Sequence, residues 1–128
     1  MAPIPRVLIV EDDRFLRRAA AATLQRAGYA VATAADGEEA LRAVREQAVD
    51  LVLLDLIMPK VQGFECLRAL KADSATASIP VIVLSNLGQD LDREQTMQAG
   101  AAAYFVKANL SLDALSDAVG RVLGVAHA

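Results

Sequence analysis

The sequence predicts a single α/β domain, a doubly wound parallel sheet with helices on both faces. Two observations lead there. Five short aliphatic runs alternate with five stretches of helical character, joined by short connections. The central run, Leu51 to Leu54, is continuously apolar, as in a strand buried on both faces.

Each element has a local reason. RVLIV at 6–10 is a β-branched and aliphatic strand, and EDD leads into a helix over Phe15 to Ala27 that should stop at Gly28, a C-cap residue. YAVATA is the second strand. Asp36 is placed to cap a helix running to about Gln47, with Glu38 and Glu39 favoured by the dipole of its first turn. LVLL is the third strand, and MPKVQG is a loop carrying Pro59 and Gly63. A helix from Phe64 to about Ala72, the strand IPVIVL, a helix from Leu87 to Ala99 ending at Gly100, the strand AAAYFV and a helix from Ser111 to Leu123 complete the chain.

Composition excludes several functions. With 55% hydrophobic residues among 128, the chain can bury a real core, and its formal charge of -3, with pI about 5.1, gives no basic footprint for nucleic acid or anionic membrane. No apolar run approaches the roughly 18 to 20 residues that span a bilayer, and MAPIPR lacks the regions of a signal peptide, so a cytosolic location is expected. Aromatic residues at 4% and no Trp leave no platform for stacking bases. The single Cys66 has no base or motif beside it and reads as a small hydrophobe or inert thiol.

In open parallel sheets, ligands bind beyond the carboxyl ends of the strands. Glu11 and Asp12 follow strand one, Asp55 ends strand three, Ser85 ends strand four and Lys107 ends strand five. All five therefore converge at one end of the sheet. Asp55 in particular needs a partner, since a charge at the edge of a buried run is costly unless compensated. Three carboxylates in one crevice take up protons or attract a cation. All-oxygen ligands with no His or Cys select a hard ion, and few protein ligands suit Mg²⁺ better than Ca²⁺. Carboxylate, Mg²⁺, hydroxyl and lysine together are what phosphoryl transfer needs.

Four ordered stretches, VLIVEDD, DLVLLDLIMPKVQGFE, PVIVLSN and GAAAYFVKA, make the chain resemble the receiver domain of two-component response regulators from Arg6 to about Leu123. The resemblance implies one receiver domain over 1–128, with no output domain expected in this chain. It implies a flavodoxin-like fold of strand order 2-1-3-4-5. It makes Asp55 the phosphoacceptor, Asp12 a direct Mg²⁺ ligand, Glu11 a ligand acting largely through water, and Ile57 the donor of a backbone carbonyl to the metal. Ser85 resembles the hydroxyl that moves to hold the phosphoryl group, Lys107 pairs with Asp55 or its phosphate, and Tyr104 matches the switch aromatic that turns inward. The implied donor is a phosphohistidine on a histidine kinase or phosphotransfer protein. The implied output face is helix four, strand five and helix five, acting on a downstream protein or fused output domain, as a monomer or a phosphorylation-dependent dimer. Such a domain is a signalling module rather than an enzyme.

Two positions depart from the common pattern. Proline usually follows the lysine, whereas Ala108 follows Lys107, where a cis peptide carries about 2.5 to 4 kcal/mol; otherwise the loop takes another geometry. Asn86 stands where a small residue is common. Taken singly, several positions have plainer readings: EDD as a solvated acidic turn, Asp13 as a helix cap, Ser85 as a cap, Tyr104 as a half-buried strand residue and Gly63 as a supplier of an unusual loop conformation. Thr23, Met97 and His127 show nothing beyond packing or tail. Three rivals remain: a phosphorylation-independent pseudo-receiver, a flavodoxin-type electron carrier, and an aspartate-nucleophile Mg²⁺ phosphatase. The phosphatase commonly needs a second aspartate two positions after the nucleophile, where this chain has Ile57.

Overall fold

A computed structural model describes residues 4–56, 63–85 and 90–124. Its five strands are β1 (Arg6–Val10), β2 (Ala30–Ala34), β3 (Leu51–Asp55), β4 (Val81–Ser85) and β5 (Ala103–Val106). The helices are α1 (Arg14–Arg26), α2 (Gly37–Glu46), α3 (Gly63–Ala72), α4 (Asp90–Gln98) and α5 (Leu112–Leu123), with a 3₁₀ turn over Lys107–Asn109. All strand pairs are parallel, as the alternating pattern predicts, and the sheet order is β2-β1-β3-β4-β5, as the resemblance implies. The predicted start of the fourth helix at Leu87 lies outside the described residues.

Alternation along the strands divides the interior into two cores, because successive side chains point to opposite faces. Leu8, Val10, Val52, Leu54, Val81 and Val83 face α2 and α3, joining Ala40, Leu67 and Leu70. Val7, Ile9, Leu51, Leu53 and Ile82 face α1 and α5, joining Leu24, Leu115 and Val119. Every residue of β3 is buried, which matches its uninterrupted apolar sequence. Cys66 is fully buried in the first core, and burial pushes its thiol up to about 11, so it is an inert hydrophobe.

Helix ends are made by the residues expected. Asp13 caps α1 by accepting from the Phe15 and Leu16 N–H groups at 2.9 and 3.0 Å. Asp36 caps α2 through the Glu39 N–H at 2.9 Å, and the Glu39 carboxylate accepts in return from the Ala35 N–H at 2.8 Å. At the end of α1, Gly28 takes a φ of 101°, its N–H donates to the Gln25 carbonyl, and the Tyr29 N–H reaches back to the Leu24 carbonyl, both at 3.1 Å. This is the paired closure that a left-handed residue permits.

Gly63 corrects the sequence reading. It is the first residue of α3, and what requires glycine there is space: a Cβ would overlap the Asp55 carbonyl oxygen and the Leu56 backbone. Its N–H donates to the Leu56 carbonyl at 3.0 Å, so the start of α3 lies directly on the end of β3. The collision is with backbone and no rotamer relieves it. Gly63→Ala should destabilise the domain by at least about 1–3 kcal/mol, read from the urea midpoint; an unchanged midpoint would contradict the close approach.

Candidate functional site

The carboxyl ends of β1, β3 and β5 bring four predicted residues together. Glu11 follows β1 directly, and its N–H still donates to the Ala34 carbonyl of β2 at 3.0 Å. Asp55 closes β3 and is 3% exposed, while Glu11 is 6% exposed. Asp12 is exposed at the mouth of the site. Carboxylate oxygens of Glu11, Asp12 and Asp55 lie within 4.8 Å of one another. Lys107, the residue after β5, donates from Nζ to Glu11 Oε1 at 2.6 Å and to Asp55 Oδ2 at 3.2 Å.

One ammonium thus joins the two buried carboxylates. The sequence pairs Lys107 with Asp55; the structure adds Glu11 at the shorter distance. The second Glu11 oxygen is also engaged, accepting from the Asp13 N–H at 3.2 Å. Behind these groups, Arg17 Nη1 donates to the Glu11 carbonyl at 2.9 Å and more weakly to the Asp12 carbonyl at 3.4 Å. Arg17 was not singled out by sequence reasoning, since it sits in a run with Arg14 and Arg18 and a bond to backbone leaves no sequence signature.

Protonation follows the crowding. Burial, then a hydrogen bond and like charge from Glu11, raise the Asp12 carboxyl above its ordinary value, against the opposing charge of Lys107. Burial pulls the Lys107 ammonium down, but its hydrogen bond to Glu11 and the charge of Asp55 outweigh this, and its pKa ends raised. The donors are all oxygens, which fits a hard divalent cation such as Mg²⁺.

Ser85 ends β4 and is fully buried, in register with Val106 of β5. Tyr104, in register with Val83, is 5% exposed and packs in the α2 and α3 core, so it is a buried residue and not a half-buried one. The Arg93 guanidinium of α4 stands 5.8 Å from its ring centroid, a cation–π contact not foreseen from the sequence. Ile57 and Asn86 lie outside the described residues. The Lys107–Ala108 departure is resolved by geometry: the described residues contain no cis peptide, and Lys107–Asn109 curl into a 3₁₀ turn closed by the Leu110 N–H on the Lys107 carbonyl at 3.2 Å. Beside the site, a cavity of about 150 Å³ between α1 and α5 is lined mainly by leucines, including Leu16, Leu53 and Leu112, with Glu11 and Lys107 in its wall.

Comparison with known proteins gives a consistent picture. The family model for the response regulator receiver domain matches residues 7–119. The chain is 42% identical over 117 residues to the gliding motility regulatory protein of Myxococcus xanthus, covering 91% of this chain but 15% of that protein. It is 39% identical to the transcriptional regulatory protein AfsQ1 of Streptomyces coelicolor, covering 81% of this chain and 45% of the relative, so it spans less than half the length of either. Among solved structures, the chemotaxis protein CheY4 of Vibrio cholerae superposes with a TM-score of 0.87 at 32% identity, covering 94% of this chain and 99% of that one. The receiver domain of the sensor histidine kinase PA1611 from Pseudomonas aeruginosa, solved with a magnesium ion coordinated in its active-site cleft, superposes with a TM-score of 0.85 at 30% identity, covering 95% and 99%.

The raised Lys107 pKa has a definite sign in stability. Its contribution is fully present below the ordinary lysine value of 10.5 and is lost as pH rises through the higher folded value. The buried Tyr29 hydroxyl, also raised by burial, weakens the fold in the same alkaline direction. The Lys107 share is therefore the difference between wild type and Lys107→Met. Urea unfolding across this range should show wild type losing its advantage over Lys107→Met as pH rises above 10.5; parallel curves would refute the assignment.

Proposed function

The chain belongs to the response regulator receiver domain family, and on that premise we propose that it is a signalling switch that accepts a phosphoryl group on Asp55 from a phosphohistidine. The observation that carries this reading is the buried Asp55 carboxylate beside Glu11 and Asp12, with Lys107 Nζ 3.2 Å from its Oδ2. The chain acts as a phosphorylated signalling module and not as an enzyme turning over a separate substrate.

In the proposed reaction a carboxylate oxygen of Asp55 attacks phosphorus, the phosphorus–nitrogen bond to the donor imidazole breaks, and an aspartyl phosphate forms. Lys107, already cationic beside Asp55, offsets the negative charge of the incoming oxygens. The hydroxyl of Ser85, at the end of the neighbouring strand, donates to the phosphoryl group. Asp12 and Asp55 would hold Mg²⁺, Glu11 would act through water, and the resemblance adds the backbone carbonyl of Ile57. When bound, Mg²⁺ supplies neutralisation of the phosphoryl oxygens. Support comes from the all-oxygen cluster of this chain and from the magnesium in the PA1611 receiver domain.

The donor is a sensor histidine kinase or histidine phosphotransfer protein in the cytoplasm. Phe15 and Leu16, 83% and 45% exposed at the start of α1 beside the acidic pair, offer such a protein an apolar contact. Among the described residues no helix is long and apolar enough to cross a membrane. The response passes to the face of α4, β5 and α5 and from there to a downstream protein or a joined output domain, with monomer and phosphorylation-dependent dimer as its assembly states. Tyr104 is buried, and the proposed response is a shift between pre-existing conformations of this face.

Intact mass after incubation with acetyl phosphate tests acceptance. Wild type should gain one labile phosphoryl group in Mg²⁺ and none after chelation, and Asp55→Asn should gain none; a gain in Asp55→Asn would move the acceptor elsewhere. No gain in wild type under Mg²⁺ would favour a pseudo-receiver. Lys107→Ala should still accept the group but show little of the chemical-shift change that wild type shows at Tyr104 and α4. A full change in that variant would sink the coupling role of Lys107.

A further inference from the structure

We propose that Arg17 is a positioning residue for the cation site, setting how tightly the domain holds Mg²⁺ without touching the metal or the phosphoacceptor; this rests on the metal reading above. β1 ends at Val10 and α1 begins at Arg14, so the carbonyls of Glu11 and Asp12 fall in the corner between a ladder and a helix. A part-buried backbone carbonyl, here that of Glu11, needs a donor. The Arg17 guanidinium, one turn into α1, provides one, with Nη1 2.9 Å from the Glu11 carbonyl and 3.4 Å from that of Asp12. The peptide linking the two acidic residues cannot rotate without giving up this charge-assisted bond. Asp13 secures the same corner from the other side, its N–H on Glu11 Oε2 and its carboxylate on the first turn of α1. Asp12, exposed and with a single strong backbone restraint nearby, is the carboxylate whose placement depends most on Arg17.

A rigid six-oxygen cation demands near-ideal geometry, so loosening this corner should appear first as lost affinity. Mg²⁺ alone, titrated calorimetrically into the full chain, is the test. Arg17→Met should bind Mg²⁺ about 10- to 100-fold more weakly than wild type, the range seen when the support of metal ligands is removed. Its rate of phosphorylation by acetyl phosphate should return close to wild type at saturating Mg²⁺, a recovery that general damage to the site would not allow. Arg17→Lys, which keeps a cationic donor without the fork, should lose less affinity. Wild-type affinity in a folded Arg17→Met, or a rate that stays low at saturation, overturns the proposal. If Arg17→Met fails to fold, weaker binding by Arg17→Lys at an unchanged urea midpoint supports it, and wild-type binding by Arg17→Lys overturns it. Absence of Mg²⁺ binding by wild type overturns the metal reading and this inference together.

Discussion

Two buried carboxylates tied by one ammonium are the constraint around which the domain is arranged. Glu11 and Asp55 end adjacent strands β1 and β3, and without Lys107 their like charges would face each other out of water. Taking ions out of water is expensive, and geometry decides whether mutual attraction offsets it. Here the geometry comes from the sheet. Parallel pairing brings the ends of β1 and β3 level, and β5, two strands further along, delivers its lysine to the same rim. Replacing such a buried ionic trio by well-packed apolar residues is often neutral or stabilising. What the ions provide is a place that answers to a further charge.

The framework holding that place is stiff where the ions sit. β3 is buried along its length, and α3 abuts its end so closely that Gly63 has no room for a side chain. Asp55 therefore has a closely packed backbone, while its carboxylate has the Lys107 ammonium 3.2 Å away. A stiff backbone with a counter-charge at hand suits the proposed role of Asp55, a change of charge without disturbance of the sheet.

The strands and most helices were legible because apolar periodicity and capping residues agree; the caps at Asp13, Asp36 and Gly28 needed no tertiary information. The convergence of Glu11, Asp12, Asp55 and Lys107 was also legible, since each follows or ends a strand and all parallel strands share one carboxyl edge. Less was visible where the reason is three-dimensional. Gly63 was read as a conformational device, yet its role is proximity to a neighbouring backbone. Lys107 was matched to Asp55, and only the longer reach of a glutamate brings Glu11 closer. The aromatic Tyr104 was recognisable as a type, but its burial under Arg93 depends on how α4 packs. Arg17 acts on carbonyls, which every residue has, so nothing in the sequence distinguishes it.

The two bonds of Lys107 close chain segments of 96 and 52 residues. Contacts so far apart in sequence form late, after most of the ordering entropy has been lost. During synthesis, Glu11 and Asp55 emerge long before their counter-ion, and until β5 docks they are two solvated acids with no shared environment. Competence is thus a property of the finished sheet. On the proposed reading, a nascent or locally frayed chain presents Asp55 without Lys107 beside it, so a donor would be spared from charging proteins that are not yet able to respond.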